Sequence, residues 1–265
     1  MTSPEKKPET GRKRKFGISG FMSLLGSILL LAAFFLPLVN TGSLFNDILP
    51  DKLHVIHLAW SIDEDEIPDE DRAQFEAGLE FLEVIGVREY SEDLTRAESD
   101  QEREQVVASH ALSGVDIARG IWFMYSRSGV FLLDQSEMTT FFWILMGMGW
   151  IVIMAGIPGI LSLVRRIQPL SAFQVSWNGT YGLILFVGSL LLLIGTNRFE
   201  YVSEIRVDYI RASTAMVFIA GAALIWLSAF AGLTRSTWWK APLIGVFLLA
   251  FTTGSFILSG KMILG

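Results

Sequence analysis

The chain has 265 residues, of which 51% are apolar, and contains no cysteine. The absence of cysteine excludes disulfides, iron–sulfur clusters, thiolate zinc sites and cysteine nucleophiles. Residues 40–137 hold 22 of the 27 acidic residues but only 7 of the 21 Lys and Arg, a net charge of −15 that leaves +9 for the rest. Such a division of charge indicates two compartments and argues against a nucleic-acid-binding surface.

Runs of about 20 uncharged apolar residues recur along the chain, as expected of helices that cross a bilayer core roughly 30 Å thick. The predicted fold class is all-α and transmembrane: a five-helix bundle with a mainly helical acidic ectodomain between helices 1 and 2. In chain order the predicted membrane helices are TM1 at 16–39, TM2 at 141–164, TM3 at 177–196, TM4 at 212–233 and TM5 at 241–258. The last four form a membrane domain over residues 138–265, and Pro158 is expected to kink or end TM2.

A basic tail, residues 1–15, precedes TM1 and ends in the run Arg12, Lys13, Arg14 and Lys15. A basic leader before an apolar run is also typical of secretory signal peptides. The apolar run here is longer than the usual hydrophobic region, and no small-residue cleavage site follows it. We therefore predict an uncleaved signal anchor.

The distribution of Lys and Arg in the short loops predicts the orientation. The basic tail, the loop with Arg165 and Arg166, and the loop with Arg235 and Lys240 all fall on one side if five helices cross the membrane. That side is predicted to be cytoplasmic. The acidic segment and the C-terminus are then external, which means periplasmic for a protein of a bacterial inner membrane.

The external domain is predicted to be residues 40–137. Its first helix is expected to start at Pro68 and stop near Gly86, and a second helix is expected from about Ser91 to Ala111. Residues 53–61 and 120–133 are rich in β-branched and aromatic types, and either segment fits a strand. The two could form a short β pairing at the base of the domain, or the second could be an amphipathic interfacial segment.

Two groups of residues in this domain have the chemistry of metal ligands. The first group is acidic and includes Asp63 and Asp71 at its ends. Its carboxylates suit calcium, but their spacing does not match an EF-hand loop. The favoured interpretation is therefore a solvated loop before a helix. The second group is His54 and His57, which lie three residues apart in a segment that looks extended. In a strand their side chains would point to opposite faces. We therefore predict no metal site; the candidate ligands are Asp63, Asp65, Asp69 and Asp71, with His54 and His57.

No Asp, Glu, Lys, Arg or His lies within the five predicted membrane helices. Ionisable residues in a bilayer mark ion paths and proton relays, so their absence argues against a charge-coupled transporter. It also excludes bis-histidine haem ligation and Ser–His proteolysis within the membrane. The notable intramembrane polar groups are expected to make hydrogen bonds between helices rather than line a pore: Asn178, Thr180, Thr252 and Thr253.

Small residues are frequent in the predicted membrane helices, and small residues let helix backbones approach closely. Such contacts could form within this bundle or with a partner subunit. The glycines predicted to mediate helix packing are Gly147, Gly156, Gly182, Gly188 and Gly221.

Two short motifs lie at the ends of the external domain: FFLP at residues 34–37 and ALSGVDIARG at residues 111–120. They resemble a set of small, mostly uncharacterised bacterial multi-pass membrane proteins with FLP at the end of the first helix and SG-x-D-[LI]-A before the second. The layout also resembles claudin-type proteins, although the claudin loop signature is absent and a fifth helix is present. The resemblance implies a bacterial inner membrane and a packing or partner-binding role. From the residues, Ser113 or Asp116 is expected to cap a short helix.

No catalytic constellation is present in the sequence, so we predict a non-enzymatic accessory or scaffold subunit of a larger membrane protein complex. Two alternatives remain: a channel or facilitator for a neutral solute or lipid, and an envelope sensor whose acidic domain binds a cation or a partner. No cofactor is predicted, although bound lipid or an apolar cofactor would leave no motif. The expected partners are membrane lipids and other membrane subunits or further copies of the chain.

Overall fold

The computed structural model describes residues 17–41, 60, 62, 67–196 and 211–264, and these are mostly helical. The predicted external segment 53–61 therefore lies almost wholly outside the described residues. The elements are, in order, α1 (Ile18–Ala33), β1 (Pro37–Val39), α2 (Asp69–Val84), α3 (Val87–Arg96), α4 (Asp100–Ser109), β2 (Leu112–Ser113), α5 (Gly114–Ser126), α6 (Gln135–Val164), α7 (Ala172–Thr196), α8 (Ala212–Gly232) and α9 (Lys240–Leu264).

Three helices within the described part of the chain are long and apolar enough to cross a membrane. They are α6, α8 and the Lys240–Ser259 portion of α9. Helix α1 is a shorter apolar helix of 16 residues, and α7 has 25 residues. Helices thus occupy all five segments predicted as TM1 to TM5, and the chain has the apolar helices of a membrane protein.

Helix α1 ends earlier than predicted, at Ala33 rather than near residue 39. Pro37 lacks a backbone N–H and disfavours helical conformation in the residue before it, which accounts for the early end. The next residues form β1, which pairs antiparallel with β2. A short β pairing therefore exists at the base of the predicted external domain, but between residues other than 53–61 and 120–133.

The helices between α1 and α6 differ from the prediction in two places. The single helix expected from Ser91 to Ala111 is wrong: α3 and α4 are separate, and Ser99 begins α4 with a capping box that includes Glu102. A strand over residues 120–133 is also wrong, because residues 114–126 form α5. The predicted stop at Gly86 is confirmed by its left-handed φ of 74°, which glycine adopts without strain.

The helices α2 and α5 pack through a cluster of three phenylalanines. Phe81, Phe123 and Phe131 have ring centroids 6.2–6.3 Å apart. At the rim, Arg127 donates to both carboxylate oxygens of Glu80 and lies over the Phe123 ring. This ion pair is solvent-exposed, so the aromatic cluster contributes more to the stability of the contact.

The membrane-type helices pack around α8 and α7. Helix α8 contacts α1 on one side and α7 on the other, α6 packs mainly on α1, and α9 packs on α7. The core includes Leu30, Tyr181, Ala222 and Ile225, each at most 1% exposed. Pro158 does not end α6, which continues to Val164.

Candidate functional site

Asn178 on α7 is a fully buried polar residue of the helical bundle. Its amide nitrogen donates to Ser23 Oγ on α1 at 3.0 Å and to Ser228 Oγ on α8 at 2.8 Å. The two hydroxyls in turn donate to the carbonyl oxygens of Pro158 and Ile225. Four helices, α1, α6, α7 and α8, are therefore connected by one polar cluster.

This cluster and its neighbours confirm that Asn178 and Thr252 make hydrogen bonds between helices. The Tyr181 hydroxyl contacts Thr252 Oγ1 and the Leu248 carbonyl, which connects α7 to α9. Trp177 Nε1 donates to the Met154 carbonyl at 3.3 Å, which connects α7 to α6. The polar groups thus hold the helices together through these bonds, and the groups themselves are enclosed in the protein.

Helices α1 and α8 approach each other at a pair of glycines. A Cβ on Gly26 would lie 2.7 Å from the Gly221 carbonyl oxygen, and one on Gly221 would lie 2.9 Å from Leu30 N. Helix α7 meets α8 similarly, since a Cβ on Gly182 would lie 2.8 Å from Trp226 N. The obstructing atoms include backbone atoms in each case, so glycine is the residue that permits these two crossings.

The predicted packing glycines thus separate into two groups. Gly182 and Gly221 lie at close helix contacts. A Cβ on Gly147, Gly156 or Gly188 would meet no other described atom within 4 Å. Among the described residues, these three glycines therefore make no close contact with another helix of the bundle.

Sequence reasoning missed the serines that complete the interior. Ser19, Ser23 and Ser27 recur every four residues on α1 and are at most 4% exposed. A Cβ on Gly159 of α6 would lie 2.8 Å from the Ser27 Cβ. The face of α1 formed by these serines therefore contacts α6. The four-residue spacing of small residues was the available signal.

Of the candidate metal ligands, only Asp69 and Asp71 lie among the described residues. Asp63, Asp65, His54 and His57 lie outside the described residues. Asp69 is in the first turn of α2, and its carboxylate pairs with Arg72 at 3.2 Å. Asp71 is in the same exposed turn. No group of three His, Asp or Glu capable of holding a metal occurs among the residues described.

The two sequence motifs meet at the junction between the bundle and helices α2 to α5. The Phe34 carbonyl accepts from Val115 N at 3.2 Å, and a Cβ on Gly114 would lie 2.8 Å from the Phe34 ring. Ser113 and Asp116 form a capping box at the start of α5, as the sequence predicts. The SG-x-D motif therefore starts a helix against the end of α1.

Arg211 strengthens this junction from the start of α8. Its guanidinium donates to the Ala108 and Ser109 carbonyls at 2.6 and 3.0 Å, at the C-terminal end of α4. A cation is favoured there because it complements the negative end of the helix dipole. Its backbone N–H also donates to the Leu38 carbonyl in β1. Helices α4 and α5 are thereby joined to the bundle at the end of α1 and at the start of α8.

Replacing Ser113 by alanine is expected to lower the free energy of unfolding by about 0.5–2 kcal/mol, because the cap of α5 is lost. Thermal unfolding in detergent measures this effect. Ser109→Ala is the matched control, since that exposed hydroxyl bonds only to the Val106 carbonyl of its own helix. Equal stability of the two variants would contradict a role for the capping box at this junction.

The function of the chain must be inferred from its own geometry. No family model, curated protein or solved structure matches it.

Proposed function

We propose that this chain is a five-pass protein of the cell membrane, with a cytoplasmic N-terminus and with residues 40–137 and the C-terminus external. Helices α1, α6, α7, α8 and α9 correspond to the five crossings. The cytoplasmic end of the bundle then carries Arg165, Arg166, Arg235 and Lys240. This arrangement follows the retention of positively charged loops on the cytoplasmic side.

Within that membrane, the chain acts as a non-enzymatic accessory or scaffold subunit of a larger complex. The observation that carries this proposal is the outward face of α6. Gly149 and Gly156 lie two helical turns apart on that face, and neither has a described neighbour within 4 Å of its Cβ position. Val152, Ile153 and Ile160 flank them and are 41–61% exposed.

A seven-residue repeat of small residues among β-branched ones suits the seam between two packed helices. No α6 residue before Met154 is buried by the part of the chain that the structure describes. We therefore assign this face to a transmembrane helix of another subunit. The Asn178 amide nitrogen and the hydroxyls of Ser23, Ser228 and Thr252 make internal hydrogen bonds, which disfavours the alternative of a solute channel lined by these groups.

The double substitution Gly149→Leu with Gly156→Leu is expected to release the chain from its complex. Leucine side chains at the seam would hold the partner helix away, at a typical overpacking cost of about 1–3 kcal/mol. The fraction of the chain that migrates with the complex on a native gel should fall about tenfold. A loss of about 1.4 kcal/mol in binding free energy lowers the association constant by that factor. Thermal unfolding of the isolated chain should be unchanged.

Gly254→Leu on α9 is the control, because its Cβ position also has no described neighbour but lies on a different helix. This variant should remain in the complex. If both the double variant and the control co-migrated with partners as the native chain does, the α6 face would not be the interface.

A further inference from the structure

A cleft of about 460 Å³ lies between α8 and α9, with α7 as its floor. Helix α9 packs mainly on α7 and makes few contacts with α8. Its walls are largely apolar and include Trp226 and Phe230 on α8 and Val246 and Leu249 on α9. The volume lies within the range of roughly 300–1,000 Å³ of pockets that hold small ligands.

One polar side chain in the floor of the cleft has no partner. Ser176 is 3% exposed, and its hydroxyl makes no hydrogen bond with any described atom. It lines the cleft one turn after the start of α7, so it lies about 6 Å inside the end of that helix. A buried hydroxyl without a partner is costly, so a hydrogen-bond acceptor on a ligand in the cleft would stabilise it.

An aromatic residue of the cleft and two cations lie in the segment between α8 and the start of α9. Trp238 lines the cleft and is 64% exposed in the loop between α8 and α9. The same loop contains Arg235, and Lys240 begins α9, with no acidic residue between them. Tryptophan favours the headgroup level of a bilayer, and the two cations and the N-terminal end of α9 favour a phosphate.

We propose that the cleft binds one anionic glycerophospholipid of the cytoplasmic leaflet. Its acyl chain lies between α8 and α9, an ester carbonyl accepts a hydrogen bond from Ser176 Oγ, and its phosphate lies near Arg235 and Lys240. The order of apolar cleft, lone hydroxyl donor and cationic α8–α9 segment matches the order of acyl chain, ester and phosphate in such a lipid. This inference depends on the proposed membrane orientation but not on the partner at α6.

The test is native mass spectrometry of the delipidated full chain in detergent, titrated with dioleoylphosphatidylglycerol or dioleoylphosphatidylcholine. We expect the anionic lipid to bind more tightly. Arg235→Gln and Lys240→Gln should each weaken its binding about fivefold, since each cation near a membrane surface contributes on that scale. Neither substitution should alter binding of the zwitterionic lipid by more than about twofold.

Val246→Trp, which fills the cleft from an exposed position, should abolish binding of the acyl chain. Leu243→Trp is its matched control, because Leu243 is equally exposed on α9 but does not line the cleft. Equal affinity of the Val246→Trp and Leu243→Trp variants would overturn the proposal, as would equal affinity of the native chain for the two lipids. Failure of the α6 interface would alter neither measurement, because both use the isolated chain.

Discussion

Replacing Gly221 by leucine is expected to force α1 and α8 apart and to destabilise the bundle by at least the ~1–3 kcal/mol typical of overpacking. The new side chain would begin 2.9 Å from Leu30 N and 3.0 Å from the Gly26 carbonyl oxygen. Backbone atoms cannot rotate away as a flexible side chain can, so a whole helix must shift. The contacts of Leu30 and Ile225 with the surrounding core would be lost with that shift.

Thermal unfolding in detergent, followed by circular dichroism, measures this effect. The control is Gly188→Leu on α7, which adds the same side chain where no described atom lies within 4 Å of the Cβ position. The control should unfold near the native temperature, and Gly221→Leu should unfold well below it. If the two variants unfolded together, the close crossing of α1 and α8 would be incorrect.

Asn178→Asp is the second substitution with a large expected effect. The amide of Asn178 supplies both N–H groups to Ser23 and Ser228, whereas an ionised carboxylate can only accept. Both serine hydroxyls would have to turn toward it and abandon the Pro158 and Ile225 carbonyls. A carboxylate in a membrane helix adds about 2.5–3.5 kcal/mol on insertion scales, so we expect destabilisation of that order.

Asn178→Leu separates the loss of the hydrogen bonds from the cost of the charge. Its expected cost is only about 1 kcal/mol, because hydrogen bonds between membrane helices are individually modest. The aspartate variant should recover part of its stability as the pH falls, since a protonated carboxyl can donate one hydrogen bond and carries no charge. Equal stability of the Asp and Leu variants at neutral pH would show that Asn178 is not enclosed.

The positions of the membrane-type helices could be predicted because uncharged apolar runs of that length are unusual in any other environment. Capping could be predicted as well, since Ser113 and Asp116 lie three residues apart before an apolar run. Local patterns were less informative for residues 120–133. Their aromatic and β-branched residues suited a strand, but the capping box and the packing of Phe123 on Phe81 stabilise a helix over the first part of that segment.

The interior of the bundle could be predicted only in part. Asn178 was identifiable as an unusual polar residue, whereas Ser23 and Ser228 are common types in apolar helices and become a site only where three helices converge. Glycine content did not distinguish Gly221, at a helix crossing, from Gly147, with no close neighbour among the described residues. That distinction depends on how the helices are arranged around α8. The spacing of residues within one helix does not determine this arrangement.

The most direct test of the proposed function is extraction of the chain from its native membrane in mild detergent, followed by a native gel and mass spectrometry of every protein that migrates with it. We expect a defined complex larger than the chain, with other membrane subunits in constant proportion. Migration as a lone monomer, or only with further copies of itself, would contradict the assignment as an accessory subunit.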